Sequence, residues 1–176
     1  FNLDHLGRSA AQFDEAKLRW VNAQHMKAMA DDALAPLVAA QLVKLGITAD
    51  ERLPRICALF KDRCDTLLVL ADWAAAFYTD ITPNPEECAQ HVTDAIKPAL
   101  KLLVEKLETC TWDKPSIAGT IKEVLAACAI KMPQLAMPVR VLVLGTPQTP
   151  SLDAVLELSD RQRVIRSEER RVGKEC

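Results

Sequence analysis

The sequence predicts an all-α protein, a helical bundle in two small subdomains, on three observations. Apolar residues recur at steps of three and four over most of the chain, and no stretch sustains the alternate-residue pattern of a strand. The composition, 49% hydrophobic and 26% charged, is that of a chain that packs a core. The length of 176 residues suits one domain, or two small ones sharing a core.

The elements follow in order. Asp14-Glu15, Asp31-Asp32 and Glu86-Glu87 mark helix starts, where negative charge complements the helix dipole. Between Leu53 and Tyr78, Ile56, Leu59, Phe60, Leu67, Leu70, Ala71, Ala74 and Phe77 fall on one stripe, which predicts helix throughout. Thr82-Pro-Asn-Pro85 is a turn, because its prolines remove donors and disfavour helix before them. A helix is expected from near Glu86 to about Thr109, with Ile96, Leu100, Leu103, Val104 and Leu107 inward and Pro98 kinking or dividing it. Ser116 is the candidate N-cap of the next helix, which carries Ile117, Ile121, Val124, Leu125 and Cys128. Val139–Leu144, apolar and β-branched around one arginine, reads equally as a short strand or a buried helical turn. Thr146-Pro-Gln-Thr-Pro150 is a rigid loop, and Leu152–Ile165 is a last amphipathic helix.

Several function classes lack their residues. Five scattered glycines make neither a dinucleotide fingerprint nor a P-loop. No run approaches the ~20 apolar residues of a membrane helix, and the sequence shows no basic-then-apolar signal segment. Six cysteines form no C-x-x-C pair and sit among apolar residues, as reduced core thiols of a cytoplasmic protein do. Cys88 and His91 have ligand spacing but no second pair, so a surface histidine beside a buried thiol is the expectation and no metal site is expected. No serine stands in a nucleophile elbow. The chain by itself is not expected to be an enzyme.

The segment Arg166–Cys176 is dense in charge and reads like a translated sequencing adapter, so it is set aside as a non-native tail; the remainder holds 18 basic and 21 acidic residues. Two patterns stand out. One is Ser9-Ala-Ala-Gln-Phe13-Asp14 followed by Lys17-Leu18-Arg-Trp20-Val-Asn22. The other is Pro138-Val-Arg140-Val-Leu142-Val-Leu-Gly145 with Thr149-Pro150-Ser-Leu152. A lone arginine in an apolar segment needs water or a partner. Arg140 therefore snorkels to the surface, pairs with Asp153 or Glu157, or serves a ligand.

Together these patterns resemble the C-terminal part of bacterial glutamyl-tRNA synthetases. The family's S-P-A-x-F-D…K-L-x-W-x-N pattern matches through Ser9, Ala11, Phe13, Asp14, Lys17, Leu18, Trp20 and Asn22, with Ala10 in place of the usual proline. Its P-L-R-x-A-L-x-G…P-x-L pattern matches through Pro138, Arg140, Leu142, Gly145, Pro150 and Leu152, with Val139 in place of leucine. The resemblance covers residues 1 to about 165. It implies the all-helical anticodon-binding domain of a class I glutamate–tRNA ligase, here as a fragment. The implied divisions are 1–32, the end of a stem-contact region with its linking helix; 33–111 and 112–165, two helical subdomains; and 166–176, the tail. In a fragment, residues 1–32 lose packing partners upstream, so Leu18 and Trp20 are expected to be more exposed than in the intact enzyme.

The parent enzyme would attach glutamate to its tRNA with ATP and Mg, through a catalytic domain whose motifs are absent here; no cofactor is expected in this fragment. The implied partner is the anticodon loop of tRNA-Glu, with neither membrane nor DNA, and the implied state is a cytoplasmic monomer. The resemblance sets Arg140, Thr149, Pro150 and Leu152 against the anticodon, where unstacked bases expose their edges. Lys122 and Lys131 are candidate phosphate contacts, and Arg63 is a further candidate, or else pairs with a nearby aspartate. The competing reading is a helical interaction or scaffold domain that binds no RNA.

Overall fold

The computed structural model describes residues 13–172, with side chains to residue 166. Ser9, Ala10 and Ala11 of the first pattern therefore lie outside the described residues. Ten α-helices and no strand are present among the described residues.

Helix α1 (Glu15–Ala28) begins where Asp14 accepts the Lys17 amide at 3.0 Å. Asn22 donates from Nδ2 to the Asp65 carbonyl at 2.5 Å, and Met26 is the one buried residue of this helix. Leu18 and Trp20 are 55% and 62% exposed. Helix α2 (Asp31–Lys44) buries Leu34, Val38 and Leu42 at four-residue steps, with Asp31 and Asp32 in its first turn.

The stripe from Leu53 to Tyr78 is not one helix. It divides into α3 (Leu53–Phe60), a 3₁₀ turn (Lys61–Arg63) and α4 (Leu67–Ala75). Cys64 is extended, and the Thr66 hydroxyl accepts the Val69 amide at 3.2 Å, a local bond that starts a new helix. Phe60 stacks on Trp73 and meets Phe77 edge-on, with ring centroids 5.1 and 5.8 Å apart.

The helix expected from Glu86 to Thr109 is likewise divided, into α5 (Pro85–His91) and α6 (Lys97–Leu107). Pro98 sits in the first turn of α6, where a missing amide hydrogen costs nothing. Asp113, not Ser116, caps α7 (Lys114–Ala127), accepting the Ser116 amide at 2.8 Å and its hydroxyl at 3.1 Å. A carboxylate accepts both groups at once, which a serine at the same point could not do.

Val139–Leu144 belongs to α8 (Met132–Leu144). Burial from Val141 through Leu144 on every side of the helix explains why the β-branched run does not become a strand. Gly145 ends α8 in the left-handed region at φ 74°, and a Cβ there would stand 2.9 Å from Ile81 Cγ2. The expected last helix is two: α9 (Leu152–Leu158) and α10 (Arg161–Val172), parted at Ser159-Asp160, where Asp160 accepts the Arg163 amide at 2.8 Å. The α10 backbone runs seven residues into the tail that the sequence reading set aside; residues 173–176 lie outside the described residues.

Packing sorts the helices. Helices α1 to α4 pack among themselves, as do α5 to α8 with α10, and α9 packs on both α7 and α3. Helices α6 and α7, on either side of residues 111/112, pack on each other, and a change of packing partners falls at residues 76–84. One continuous apolar core runs through both groups, from Leu34 and Phe60 to Leu103, Ile121 and Leu142. No described helix is long and apolar enough to cross a membrane.

Candidate nucleic-acid interface

Arg140 lies in the last turns of α8, half-buried, on a helix whose neighbouring positions are core. Its Nη2 donates to the Pro150 carbonyl at 2.9 Å, across the loop that Gly145 starts. Its Nε is buried and has no hydrogen-bond partner. No carboxylate approaches it among the described residues: Glu157, one expected partner, is held by Arg55 at 2.6 Å, and Asp153 forms no ion pair. The charged neighbour that acts on Arg140 is instead Arg63. Burial, with the Arg63 charge adding to it, lowers the Arg140 guanidinium below the usual arginine value.

Arg63 ends the 3₁₀ turn, exposed, and pairs with no aspartate among the described residues. The intrahelical pair allowed by the sequence does not form, since Asp65 turns to Arg19 at 3.3 Å. Two arginines from different helix groups thus stand in each other's field with no acid between them.

The loop residues contribute unequally. Thr149 is buried and its hydroxyl donates to the Pro150 carbonyl at 3.3 Å; Leu152 is buried at the start of α9. Of these candidates the loop offers a ligand its backbone and the half-buried Pro150 ring, beside the exposed Gln148. Lys131 is exposed before α8, nine residues before Arg140, which places it about 13 Å away along the helix. Lys122 is exposed on α7. Hydrogen bonds join Arg140, Pro150 and Thr149, and the Arg63 charge acts on Arg140; Leu152 follows the same loop in the chain.

The remaining candidates carry no chemistry. Cys88 is buried, and His91, expected at the surface, is only 15% exposed with Nε2 3.3 Å from Glu87. Among the described residues no group of three or more His, Cys, Asp or Glu could hold a metal ion. A cleft of about 340 Å³ between α5 and α8 is lined by His91, Ile96, Pro133 and Met137 and gathers no nucleophile–base pair. Sequence reasoning missed the contact of Ile81 with Gly145 and the free Arg140 Nε, neither of which has any signature in residue spacing.

Comparisons with known proteins bear on the family and the fold. A family model described as an anticodon binding domain matches residues 17–167. A glutamate–tRNA ligase of Albidiferax ferrireducens is 80% identical over 165 residues, which are 94% of this chain and 36% of that protein. A glutamate–tRNA ligase of Paracidovorax citrulli is 67% identical over 168 residues, 93% of this chain and 35% of that protein. The chain thus spans about a third of the length of the curated relatives it matches. A glutamate–tRNA ligase of Elizabethkingia meningosepticum, solved by crystallography, shares the fold with a TM-score of 0.85 at 19% identity, covering 97% of this chain and 34% of that one. A bundle of helices that brings Arg63 and Arg140 together beside the Pro150 loop, matched over this length, belongs to the anticodon-binding-domain family.

Proposed function

We propose that this chain reads the anticodon loop of tRNA-Glu as part of a glutamate–tRNA ligase. The observation that carries the reading is the buried Arg140 Nε without an acceptor, in a site where Arg63 adds a second positive charge and no carboxylate answers either. Such a site is short of acceptors and of negative charge. An unpaired RNA loop supplies both: base edges with oxygen and nitrogen acceptors, and phosphates. The printed names of the relatives favour the same partner. In this reading Arg140 and Arg63 face bases, the Pro150 loop offers backbone groups, and Lys122 and Lys131 meet phosphates, which position without specifying. Attachment of glutamate at the expense of ATP belongs to the larger enzyme of which this domain is a part.

The test is a salt titration of binding between the chain and an unmodified anticodon stem-loop of tRNA-Glu, with an unrelated stem-loop of equal length as control. Preferential binding that weakens with salt is expected. Equal binding of both stem-loops removes the anticodon reading and leaves a non-specific RNA binder, and no binding by the folded chain favours a scaffold domain that binds no RNA.

A further inference from the structure

Residues 76–84, between the two helix groups, carry three separate fastenings. Arg163 of α10 donates from Nη1 to the Thr79 carbonyl and from Nη2 to the Ala76 carbonyl, both at 2.7 Å. The Tyr78 hydroxyl donates to Asp50 Oδ1 at 3.1 Å, and the Arg52 guanidinium lies 5.3 Å from the Tyr78 ring centroid. Ile81 rests where Gly145 has no side chain. Two further ties cross between the groups: Arg52 Nη1 to the Leu158 carbonyl at 2.8 Å, and Arg55 to Glu157 at 2.6 Å. The same corner, Leu158–Asp160, also accepts Trp112 Nε1 on the Ser159 carbonyl at 3.2 Å.

These fastenings bear on the site. Arg63 belongs to the first helix group and Arg140 to the second, and the Arg63 charge acts on Arg140, so the relation of the two groups sets how the two arginines stand to one another. Ala76 and Thr79 close the C-terminal end of α4, where free carbonyls favour a cation, so Arg163 gains there while it fixes the chain leaving the first group. Its flat fork engages two carbonyls at once, which a single ammonium cannot do with the same geometry.

From this we infer that Arg163 is a positioning residue for RNA reading: by clamping Ala76 and Thr79 it holds the two helix groups at the spacing that keeps Arg63 and Arg140 on one ligand. The inference rests on the proposed function for its ligand, though its geometric half stands apart from it.

Two measurements test it. Genetically encoded spin labels at the exposed positions 72 on α4 and 101 on α6 report the spacing of the groups by electron-spin distance measurement. In Arg163→Met the distance distribution is expected to broaden while helical content is kept, and Arg163→Lys is expected to fall between. Stem-loop affinity is then compared in a double-mutant cycle. Arg163→Met should weaken binding about tenfold when Arg63 is present and less than about twofold when Arg63→Ala is already in place. A merely structural role would give the same loss in both backgrounds, and that result overturns the inference. An unchanged distance distribution overturns it as well. Should Arg163→Met not fold, Arg163→Lys is read by the same two measurements, and equal losses with and without Arg63 overturn the inference there too. If the wild-type chain shows no preference for the stem-loop, the proposed function fails, and the distance distribution alone still decides whether Arg163 sets the spacing.

Discussion

Two arginine-bearing regions of this molecule face opposite accounts of hydrogen-bond supply. At the corner between α9 and α10, Arg163 meets two carbonyls, and Arg161 meets those of Leu107 and Glu108 while lying 5.6 Å from the Trp112 ring centroid. At the end of α8, Arg140 has one carbonyl, a stranded Nε and a cationic neighbour. Both are partly buried arginines in helices, and residue type alone does not tell them apart. What separates them is the count of acceptors: a satisfied guanidinium holds structure together, and an unsatisfied one in a like-charged site costs stability that only a ligand can return.

The comparison breaks most visibly on stability. Arg163→Met leaves the Ala76 and Thr79 carbonyls unpaired and removes two charge-assisted bonds, so a loss of about 3 kcal/mol is expected in urea unfolding. A loss below about 1 kcal/mol would show that water replaces the guanidinium freely and that the two regions differ less than their geometry says. Arg140→Ala should do the reverse. It removes a stranded donor and a repulsion, so stability should change by less than about 1 kcal/mol, while stem-loop binding weakens by about 1–3 kcal/mol if a base edge is read. A binding loss under a few tenths of a kcal/mol in the folded variant would remove Arg140 from the interface.

How much of this was legible in sequence divides along the same line. Periodicity identified helices and their buried faces, and the pattern around Arg140 and Pro150 identified the family, because both are one-dimensional signals. Helix ends were harder. Thr66, Asp113 and Asp160 each start a helix through a side-chain bond, and nothing in a continuous apolar stripe reveals that the backbone restarts at that point. The β-branched run in α8 looked ambiguous because its state is set by burial on all sides, a tertiary property. The free Nε of Arg140 and its approach to Arg63 depend on which acceptors are missing, and absence of an acceptor has no spacing in a sequence.

Lys131 sharpens the binding side of the comparison with a smaller effect. It is exposed and bound to no carboxylate among the described residues, so it can serve RNA only as a mobile positive charge. Lys131→Ala should lower the slope of log affinity against log salt by about 1, and weaken binding by the same factor for stem-loops of different sequence. A change in preference among sequences would instead place it on a base.

The smallest expected effect tests whether the fastened region depends on its charges. Burial would raise the Asp50 carboxyl, but bonds from the Arg52 guanidinium and amide and from the Tyr78 hydroxyl override it and hold the group below the usual carboxylate value. A folded value below the unfolded one means that Asp50 stabilises the protein above the ordinary carboxylate range and that this contribution fades as pH falls through the folded value. Tyr78 works at the other end. Burial, with the Asp50 charge adding to it, pushes its hydroxyl up to about 12, so the folded chain keeps a proton that the unfolded chain sheds near pH 10, and stability falls as pH rises from there toward about 12. Asp50→Asn should therefore flatten the acid limb of a stability–pH profile, and Tyr78→Phe the alkaline limb, each also making the other limb shallower because the two groups act on each other. If neither limb moves, the Asp50–Arg52–Tyr78 fastening acts through packing of the ring alone, and the burden of holding residues 76–84 passes to Arg163 and to Ile81 against Gly145.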